Sequence, residues 1–340
     1  MYKPDPKLKH LFDWHVESDS TWDEQLSRTR YHYRNPSPPP RPDAFRSIGL
    51  VFFNSSLRTR TSMEVAAARL GAHASTIIPG SGVWGMEWRD GVRMDGKAVE
   101  HIREAIGVLS RYYDALGVRL FATGTDYALD QNESRFKKIL ETATVPVINL
   151  ESALYHPCQA LADAATIYEH FRDEVKGRRF VLSWAWHPRA LPQAVPNSAL
   201  LMAARLGMQV TIARPKGFEL TPEIMKLANS YASQNGTSIA QTDHQDVACK
   251  GADVIYAKAW SSNMRYDNPN AEAGLRNHYQ DWRIRKRHLG KAVFLHCLPA
   301  RRGVVVDDAV LNSSQAIHLL QAEFRLHAQM AILERAWNLL

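Results

Sequence analysis

Apolar stretches of strand length alternate with helical patterns along most of this chain of 340 residues. After residue 45, strands are predicted at 48–53, 73–78, 115–121 and 145–150, and helices between them at 58–70, 99–113 and 135–141. Strand and helix in strict alternation imply a parallel sheet covered by helices. This series therefore predicts one doubly wound domain.

A second series with different content follows the first. Its predicted strands are 179–184, 209–213, 254–257 and 292–295, and its helices are 198–206 and 222–233. The last segment, 314–340, has apolar residues at helical spacing and predicts an amphipathic helix. The expected fold class is α/β, with two doubly wound parallel-sheet (Rossmann-like) domains and a C-terminal helix.

The first 45 residues are polar and end in a proline-rich run at 36–42. Proline cannot continue a helix, so this run predicts an extended connector. We expect the folded core to start after it.

A cluster of hydroxyl and guanidinium groups follows the first predicted strand, in the run Ser56-Leu57-Arg58-Thr59-Arg60. A helix begins there, with Asn54 or Ser55 as the expected cap, and its free N–H groups attract anions. Arginines add forked bonds to phosphate oxygens, and hydroxyls add short donors. The run predicts a phosphate site, although arginines at this spacing are also typical of a solvated helix face.

Composition leaves two classes of partner open. A formal charge of +7 and a pI near 9.3 suit nucleic acid, but also suit an enzyme whose substrates carry phosphate and carboxylate groups. The densest basic run, 283–287, is short, so we interpret it as a solvated helix face and expect no nucleic-acid partner. A basic nucleic-acid-binding protein without catalysis stays the alternative from another class.

Three cysteines are too few and too scattered for a disulfide framework or a Cys-x-x-Cys metal site. A reducing cytoplasm is the expected location. No apolar run approaches about 18 residues and residues 1–15 lack the pattern of a signal peptide, so we expect neither membrane spanning nor secretion.

The segment 80–85 matches the dinucleotide fingerprint G-x-G-x-x-G and raises the alternative of a hydride-transfer enzyme. That fingerprint should open directly into a helix, whereas Trp84, Met86 and Trp88 follow here. We interpret the segment as a mobile loop.

Two turns contain histidine and cysteine: His156-Pro157-Cys158-Gln159 and His296-Cys297-Leu298-Pro299. They raise the alternatives of a cysteine nucleophile and a metal site. A nucleophile needs a base within hydrogen-bond reach, which adjacent side chains in a turn do not provide. We expect Cys158 and Cys297 to be buried, inert thiols.

Taken together, these three motifs resemble the aspartate/ornithine carbamoyltransferase family, whose loops read Ser-x-Arg-Thr-Arg, His-Pro-x-Gln and His-Cys-Leu-Pro. The resemblance extends over about 49–332 and implies carbamoyl transfer from carbamoyl phosphate to an amine, without a metal or organic cofactor. It also implies a homotrimer with shared active sites. The implied domains are 1–150 for carbamoyl phosphate, with 314–340 packing back on it, and 151–313 for the acceptor.

The resemblance also implies the residues of the site. Carbamoyl phosphate would be held by Ser56, Leu57, Arg58, Thr59, Arg60, Trp84 from a neighbouring subunit, Arg119, His156, Pro157, Cys158, Gln159, Cys297, Leu298 and Arg325. Of these, Arg119, His156, Gln159, Cys297 and Leu298 would take part in catalysis.

The acceptor amine is suggested by departures from the ornithine and aspartate enzymes. The Ser-Met-Gly loop of the ornithine enzymes is absent, and the runs 184–189, 257–260 and 297–302 resemble the N-acylornithine branch. Val99 aligns with a glutamate in acetylornithine enzymes and a proline in succinylornithine enzymes. Val305, the run 192–198 and the five-residue step from Glu151 to His156 agree with the succinyl type.

The resemblance therefore implies an N-acylated ornithine as acceptor, with N-succinylornithine expected and N-acetylornithine as the alternative. The implied acceptor-binding residues are Val99, Glu151, His187, Lys258, Leu298 and Arg301. Arg301 and His187 are the candidates for the succinyl carboxylate, and Lys258 for the ornithine carboxylate.

Overall fold

A computed structural model describes residues 8–35 and 45–339 of the chain, so the predicted connector at 36–42 lies outside the described residues. The chain divides into two compact units. Unit 1 comprises Met1–Ala122, Ala128–Cys158 and Arg325–Leu340, and unit 2 comprises Thr123–Tyr127 and Gln159–Phe324. The expected domain boundary at 150 lies eight residues before the end of the second segment of unit 1.

The N-terminal segment belongs to the core of unit 1. A short 3-10 helix, Trp14–Val16, precedes helix α1, Asp19–Arg34. Helix α1 buries Trp22 and Leu26, which are one helical turn apart. Our expectation that the core starts after residue 45 was therefore wrong. The few apolar residues of α1 have helical spacing, but the many polar residues around them make this pattern weak.

Unit 1 is built on a four-stranded parallel sheet in the order β2-β1-β5-β6. A ribbon of two short parallel strands, β3 and β4, lies between β2 and α3 in the chain. The strands are β1 (Ser47–Phe52), β2 (His73–Ile77), β3 (Met86–Glu87), β4 (Glu100–His101), β5 (Ala115–Arg119) and β6 (Val147–Glu151), and the helices are α2 (Arg58–Arg69), α3 (Ile102–Tyr112), α4 (Tyr127–Gln131) and α5 (Ser134–Thr142).

Unit 2 is built on a five-stranded parallel sheet in the order β11-β10-β7-β8-β9. Its strands are β7 (Arg179–Trp184), β8 (Gln209–Ala213), β9 (Ile239–Thr242), β10 (Val254–Lys258) and β11 (Val293–Leu295). The remaining helices are α6 (Pro157–Phe171), α7 (Ala194–Arg205), α8 (Pro222–Gln234), α9 (Gln245–Cys249), α10 (Pro269–His278), α11 (Lys286–Leu289), α12 (Asp308–Leu311) and α13 (His318–Ala336), with a 3-10 helix at Asn263–Tyr266. The first two residues of α6 and the part of α13 that starts at Arg325 belong to unit 1.

Each sheet contains a point at which the strand order reverses direction. In unit 1 the reversal lies between β1 and β5, and in unit 2 it lies between β7 and β10. Doubly wound sheets bind ligands beside the carboxyl ends of the strands at such a point. The loops that follow these four strands are therefore the first places to look for a site.

The α/β fold class with two parallel-sheet domains is confirmed. Strand β9 was not predicted, because its pattern is polar and only half-buried. Helix α7 begins at Ala194 rather than at 198, with Pro196 in its first turn, where proline is tolerated. None of the helices in the described ranges has the length and apolar character needed to cross a bilayer.

Candidate functional site

The predicted phosphate loop follows β1 at the reversal point of unit 1. Helix α2 starts at Arg58, and the Thr59 amide donates to Ser56 Oγ over 3.1 Å. The expected cap by Asn54 or Ser55 is wrong, since Asn54 Oδ1 instead accepts from the Phe121 amide at 2.8 Å. Asn54 thereby joins the loop after β1 to the loop after β5.

Arg325, from helix α13, reaches the same loop. Its Nη2 donates to Thr59 Oγ1 over 2.9 Å, and both side chains are buried. Leu57 and Arg60 are exposed, and Arg60 Nε donates to Glu64 Oε1 at 3.0 Å. The loop therefore combines a fixed inner part with an exposed basic rim.

The ends of β5 and β6 bring together Arg119, Glu151 and His156. Arg119 Nη1 donates to Glu151 Oε2 at 2.5 Å, and His156 Nε2 lies 3.5 Å from the same oxygen. The Arg119 guanidinium also lies over the Phe121 ring, 4.4 Å from its centroid. Glu151, which the resemblance assigns to the acceptor, lies in unit 1 beside the residues assigned to the carbamoyl group.

Cys158 is a structural thiol. It is fully buried, its Sγ donates to the Asn149 carbonyl at 3.6 Å, and burial raises its pKa to about 11. The neighbouring Pro157 carbonyl accepts from Trp14 Nε1 at 2.8 Å. The predicted burial is confirmed for Cys158 and wrong for Cys297, which is only half-buried.

Trp84 and Val99 lie at the same end of the β3–β4 ribbon. Met86 pairs with Glu100, so Trp84 lies two residues before β3 and Val99 directly precedes β4. Trp84 is 64% exposed and Val99 is 62% exposed, so two apolar side chains face solvent at one end of the ribbon. A strand follows the glycine-rich segment, so the segment does not open into the helix that a dinucleotide fingerprint requires.

In unit 2, positive charges gather beyond β7 and β10. Burial lowers the pKa of His187, and the charges of Arg301, Lys258 and Arg276 lower it further. Lys258 is the last residue of β10, and His187 follows β7. Arg276 pairs with the buried carboxylate of Glu272, so the other three residues form the open part of the cluster.

The remaining predicted residues of unit 2 are joined by hydrogen bonds. Gln159 Nε2 donates to Asp163 Oδ1 at 2.7 Å, and Gln321 Nε2 donates to the same oxygen at 2.6 Å. Gln321 Oε1 accepts from the His296 amide at 2.9 Å. The Leu298 amide, at a φ of 58°, donates to His296 Nδ1 at 2.8 Å, which fixes the turn that contains Cys297.

Sequence reasoning missed Asp163 and Gln321. Asp163 stands four residues after Gln159 on a helix, a spacing at which side chains meet, and this was the available signal. For Gln321 there was none, because it contacts Asp163 across 158 residues of chain.

Two family models match the chain over most of its length. The carbamoyl-P binding domain of aspartate/ornithine carbamoyltransferase matches residues 9–169, and the Asp/Orn binding domain of the same family matches residues 191–336. One model therefore covers the N-terminal half of the chain, and the other covers the C-terminal half.

Individual relatives agree with the family models. The chain is 42% identical over 293 residues to an N-acetylornithine carbamoyltransferase of Xanthomonas campestris pv. campestris, covering 85% of this chain and 86% of that protein. It is 36% identical over 293 residues to an N-succinylornithine carbamoyltransferase of Bacteroides thetaiotaomicron, covering 85% and 87%.

A solved structure matches both units. It is a variant of an N-acetyl-L-ornithine transcarbamylase with a glutamate replaced by valine, complexed with carbamyl phosphate and N-succinyl-L-norvaline. The TM-score is 0.91 at 39% identity, covering 96% of this chain and 99% of that one. The chain is therefore a carbamoyltransferase and belongs to the aspartate/ornithine carbamoyltransferase family, within its N-acylornithine branch.

Proposed function

We propose that the chain transfers the carbamoyl group of carbamoyl phosphate to the side-chain amine of N-succinyl-L-ornithine, giving N-succinyl-L-citrulline and phosphate in arginine biosynthesis. The observation that carries this proposal is the cluster of His187, Lys258 and Arg301 beyond β7 and β10. Succinylornithine has two carboxylates, and Lys258 and Arg301 can each supply a positive charge to one of them. Lys258 would bind the ornithine carboxylate, and Arg301 with His187 the succinyl carboxylate.

The chemistry is a displacement at the carbonyl carbon. The amine nitrogen forms the new C–N bond, and the C–O bond to phosphate breaks. An alkyl amine with a pKa of roughly 10.4, taking lysine as a model, must lose a proton before it attacks. Negative charge develops on the carbonyl oxygen, so donors that already point at that oxygen lower the barrier.

Unit 1 supplies two such donors, Arg119 and His156. Glu151 accepts from Arg119 and lies 3.5 Å from His156, which supports a role in holding both donors in place before substrate binds. Ser56, Arg58, Thr59 and Arg60 would bind the phosphate that leaves. In unit 2, Gln159 would bind the carbamoyl amide, and the turn at Cys297 and Leu298 would orient the attacking amine.

N-acetyl-L-ornithine is the second candidate acceptor, because identity is higher to the Xanthomonas N-acetylornithine enzyme, at 42%, than to the Bacteroides N-succinylornithine enzyme, at 36%. Val99 favours succinylornithine. It aligns with a glutamate of the acetylornithine enzymes, and a variant of such an enzyme with glutamate replaced by valine was solved with a succinyl ligand.

We further propose a homotrimer in which Trp84 and Val99 of one subunit enter the site of the next. Their exposure at one end of the β3–β4 ribbon supports this arrangement. A reducing, cytoplasmic location is proposed because the three cysteines are free thiols.

The test is ureido-product formation from carbamoyl phosphate with ornithine, N-acetylornithine, N-succinylornithine and aspartate in parallel. We expect the highest kcat/KM with N-succinylornithine. A preference for N-acetylornithine would reject the acceptor and keep the reaction, whereas turnover of none of the four amines would reject the proposed function.

A glutamate at position 99 should reverse the preference. Val99→Glu places a negative charge where we propose the succinyl carboxylate binds, and like charges about 4 Å apart cost from about 1 to 4 kcal/mol. We expect kcat/KM for N-succinylornithine to fall at least about tenfold and that for N-acetylornithine to change less than about threefold. Val16→Glu, at a valine of similar exposure, is the matched control. Equal losses with both acceptors would contradict the role of Val99.

A further inference from the structure

Asp163 is a buried carboxylate of unit 2. It lies on α6, is 1% exposed, and receives hydrogen bonds from Gln159 and Gln321 on a single oxygen, Oδ1. Both glutamines are buried as well. A carboxylate removed from water costs several kcal/mol unless it is well paired, so its retention here calls for a reason.

The two glutamines lead to two different parts of the predicted site. Gln159 is the last residue of the His-Pro-Cys-Gln motif. Gln321 Oε1 accepts from the His296 amide, and His296 Nδ1 accepts from the Leu298 amide in the second motif. Asp163 is thus the common partner through which the α6 motif and the turn after β11 are connected.

The hydrogen bonds to Asp163 fix the orientation of the side-chain amides of Gln159 and Gln321. Because Gln159 Nε2 donates to Asp163, its side-chain carbonyl oxygen points away from Asp163. A carbonyl oxygen can accept a hydrogen bond from the N–H group of a carbamoyl substrate. With its Nε2 also on Asp163, Gln321 must direct its carbonyl oxygen at the His296 amide. A neutral apolar side chain at 163 would remove the hydrogen bond that anchors the Nε2 group of each glutamine.

The surroundings of Asp163 are consistent with a fixed acceptor. The buried hydroxyl of Tyr256, on β10, faces it, and burial together with the Asp163 carboxylate raises the pKa of Tyr256 well above its ordinary value. Tyr256 therefore stays protonated and adds no second negative charge at this point.

We propose that Asp163 is a positioning residue for carbamoyl transfer, which fixes Gln159 directly and the Cys297–Leu298 turn through Gln321. The inference rests on the proposed function, because it takes Gln159 and this turn as contacts of the carbamoyl group and the amine. Asp163 itself touches neither substrate in this proposal.

The test compares Asp163→Asn with Thr166→Val, both nearly isosteric changes of buried polar residues on α6. Among the described residues, Thr166 Oγ1 donates only to the Ala162 carbonyl of its own helix. Its substitution therefore measures the effect of changing a buried polar side chain that does not contact the two motifs. Asparagine weakens both charge-assisted bonds, and we expect kcat to fall about tenfold with the KM for carbamoyl phosphate changed less than about twofold. Thr166→Val should leave both constants within about twofold.

A double-mutant cycle separates positioning from general structural damage. If Asp163 acts through Gln159, Gln159→Ala combined with Asp163→Asn should lose clearly less than the product of the two single losses in kcat. Fully multiplicative losses, or a wild-type kcat in Asp163→Asn, would overturn the proposal, and a change of Tm alone counts against it.

A readout without catalysis keeps this test separate from that of the proposed function. The side-chain amide protons of Gln159 and Gln321 should exchange slowly in the wild-type protein and at least about tenfold faster in Asp163→Asn, as measured by NMR. If the wild-type protein carbamoylates none of the four amines but the exchange rates behave in this way, the proposed function fails while the anchoring by Asp163 stands. Unchanged exchange would overturn the anchoring, whatever the activity.

Discussion

Arg301 and Arg302 are adjacent in the chain but differ in their surroundings. Arg302 Nη1 donates to Asp308 Oδ1 at 2.8 Å and to Asn312 Oδ1 at 3.0 Å. Arg301 has no carboxylate partner among the residues that the structure describes, and its charge acts on His187. An arginine without a carboxylate partner in the described part of the chain is suited to bind a substrate carboxylate.

Substitution of this pair tests the acceptor site. Arg301→Ala removes a charge-assisted contact, so we expect the KM for N-succinylornithine to rise about tenfold or more, with little change in the KM for carbamoyl phosphate. Arg302→Ala is the matched control and should leave both constants near wild type. Equal increases in the two KM values of Arg301→Ala would contradict the assignment.

Glu133 carries a pH-dependent part of the stability. It is fully buried at a φ of 52°, and its Oε1 accepts from Ser152 Oγ at 2.5 Å and from the Leu154 amide at 2.7 Å. Burial raises the pKa of Glu133 from 4.5 to about 7, against the opposing effect of these hydrogen bonds.

The direction of the pH effect follows from that shift. The unfolded chain releases the proton near pH 4.5 and the folded protein only near pH 7, so this contribution to stability is complete below pH 4.5 and is lost as the pH rises to about 7. The loss is on the order of 3 kcal/mol. Urea unfolding at several pH values should show that Glu133→Gln removes this decline, and an unchanged pH profile would contradict it.

Helices α1 and α13 are joined by a buried carboxylate. Glu334 Oε2 accepts from Arg28 Nε at 2.5 Å and from His32 Nε2 at 2.9 Å. Burial alone would raise the pKa of Glu334, but the hydrogen bonds from Arg28 and His32 lower it to about 2. This stabilisation is therefore complete above pH 4.5 and is lost as the pH falls towards 2.

Removing that carboxylate should weaken the packing of the two helices. Glu334→Gln leaves the Arg28 charge without its partner, and we expect the free energy of unfolding at pH 7 to fall by about 3 kcal/mol. Glu24→Gln, at an exposed acid of α1, should change it by less than about 0.5 kcal/mol. Urea denaturation measures both, and similar values for the two variants would reject the link.

The prediction of elements succeeded where hydrophobic periodicity was strong. Strands β7 and β8 were predicted with their observed ends because each begins with an exposed polar residue and continues with mostly apolar, mostly buried ones. Helix α1 was missed because only a few of its residues are apolar. The contact between Arg325 and Thr59 joins residues 266 positions apart, and no local pattern carries such a pairing.

At the scale of the whole molecule, the proposed trimer makes each site depend on two subunits. Trp84→Ala would damage the site of a neighbour, whereas Arg119→Ala would damage the site of its own subunit. If the two inactive variants are mixed after dissociation, random reassembly should restore about one quarter of the sites. Activity that stays at the level of the separate variants would reject shared sites, and light scattering of each variant checks that trimers form.

Unit 1 is assembled from segments that lie far apart in the chain, since Arg325–Leu340 belongs to it together with residues before Cys158. Unit 2 is nearly continuous, from Gln159 to Phe324. During synthesis, the core of unit 1 therefore cannot be complete until helix α13 has left the ribosome. By then all of unit 2 has been synthesised and can fold. The phosphate loop can gain its Arg325 partner only after residue 325 has left the ribosome, so the proposed carbamoyl phosphate site is completed after all of unit 2 has been made.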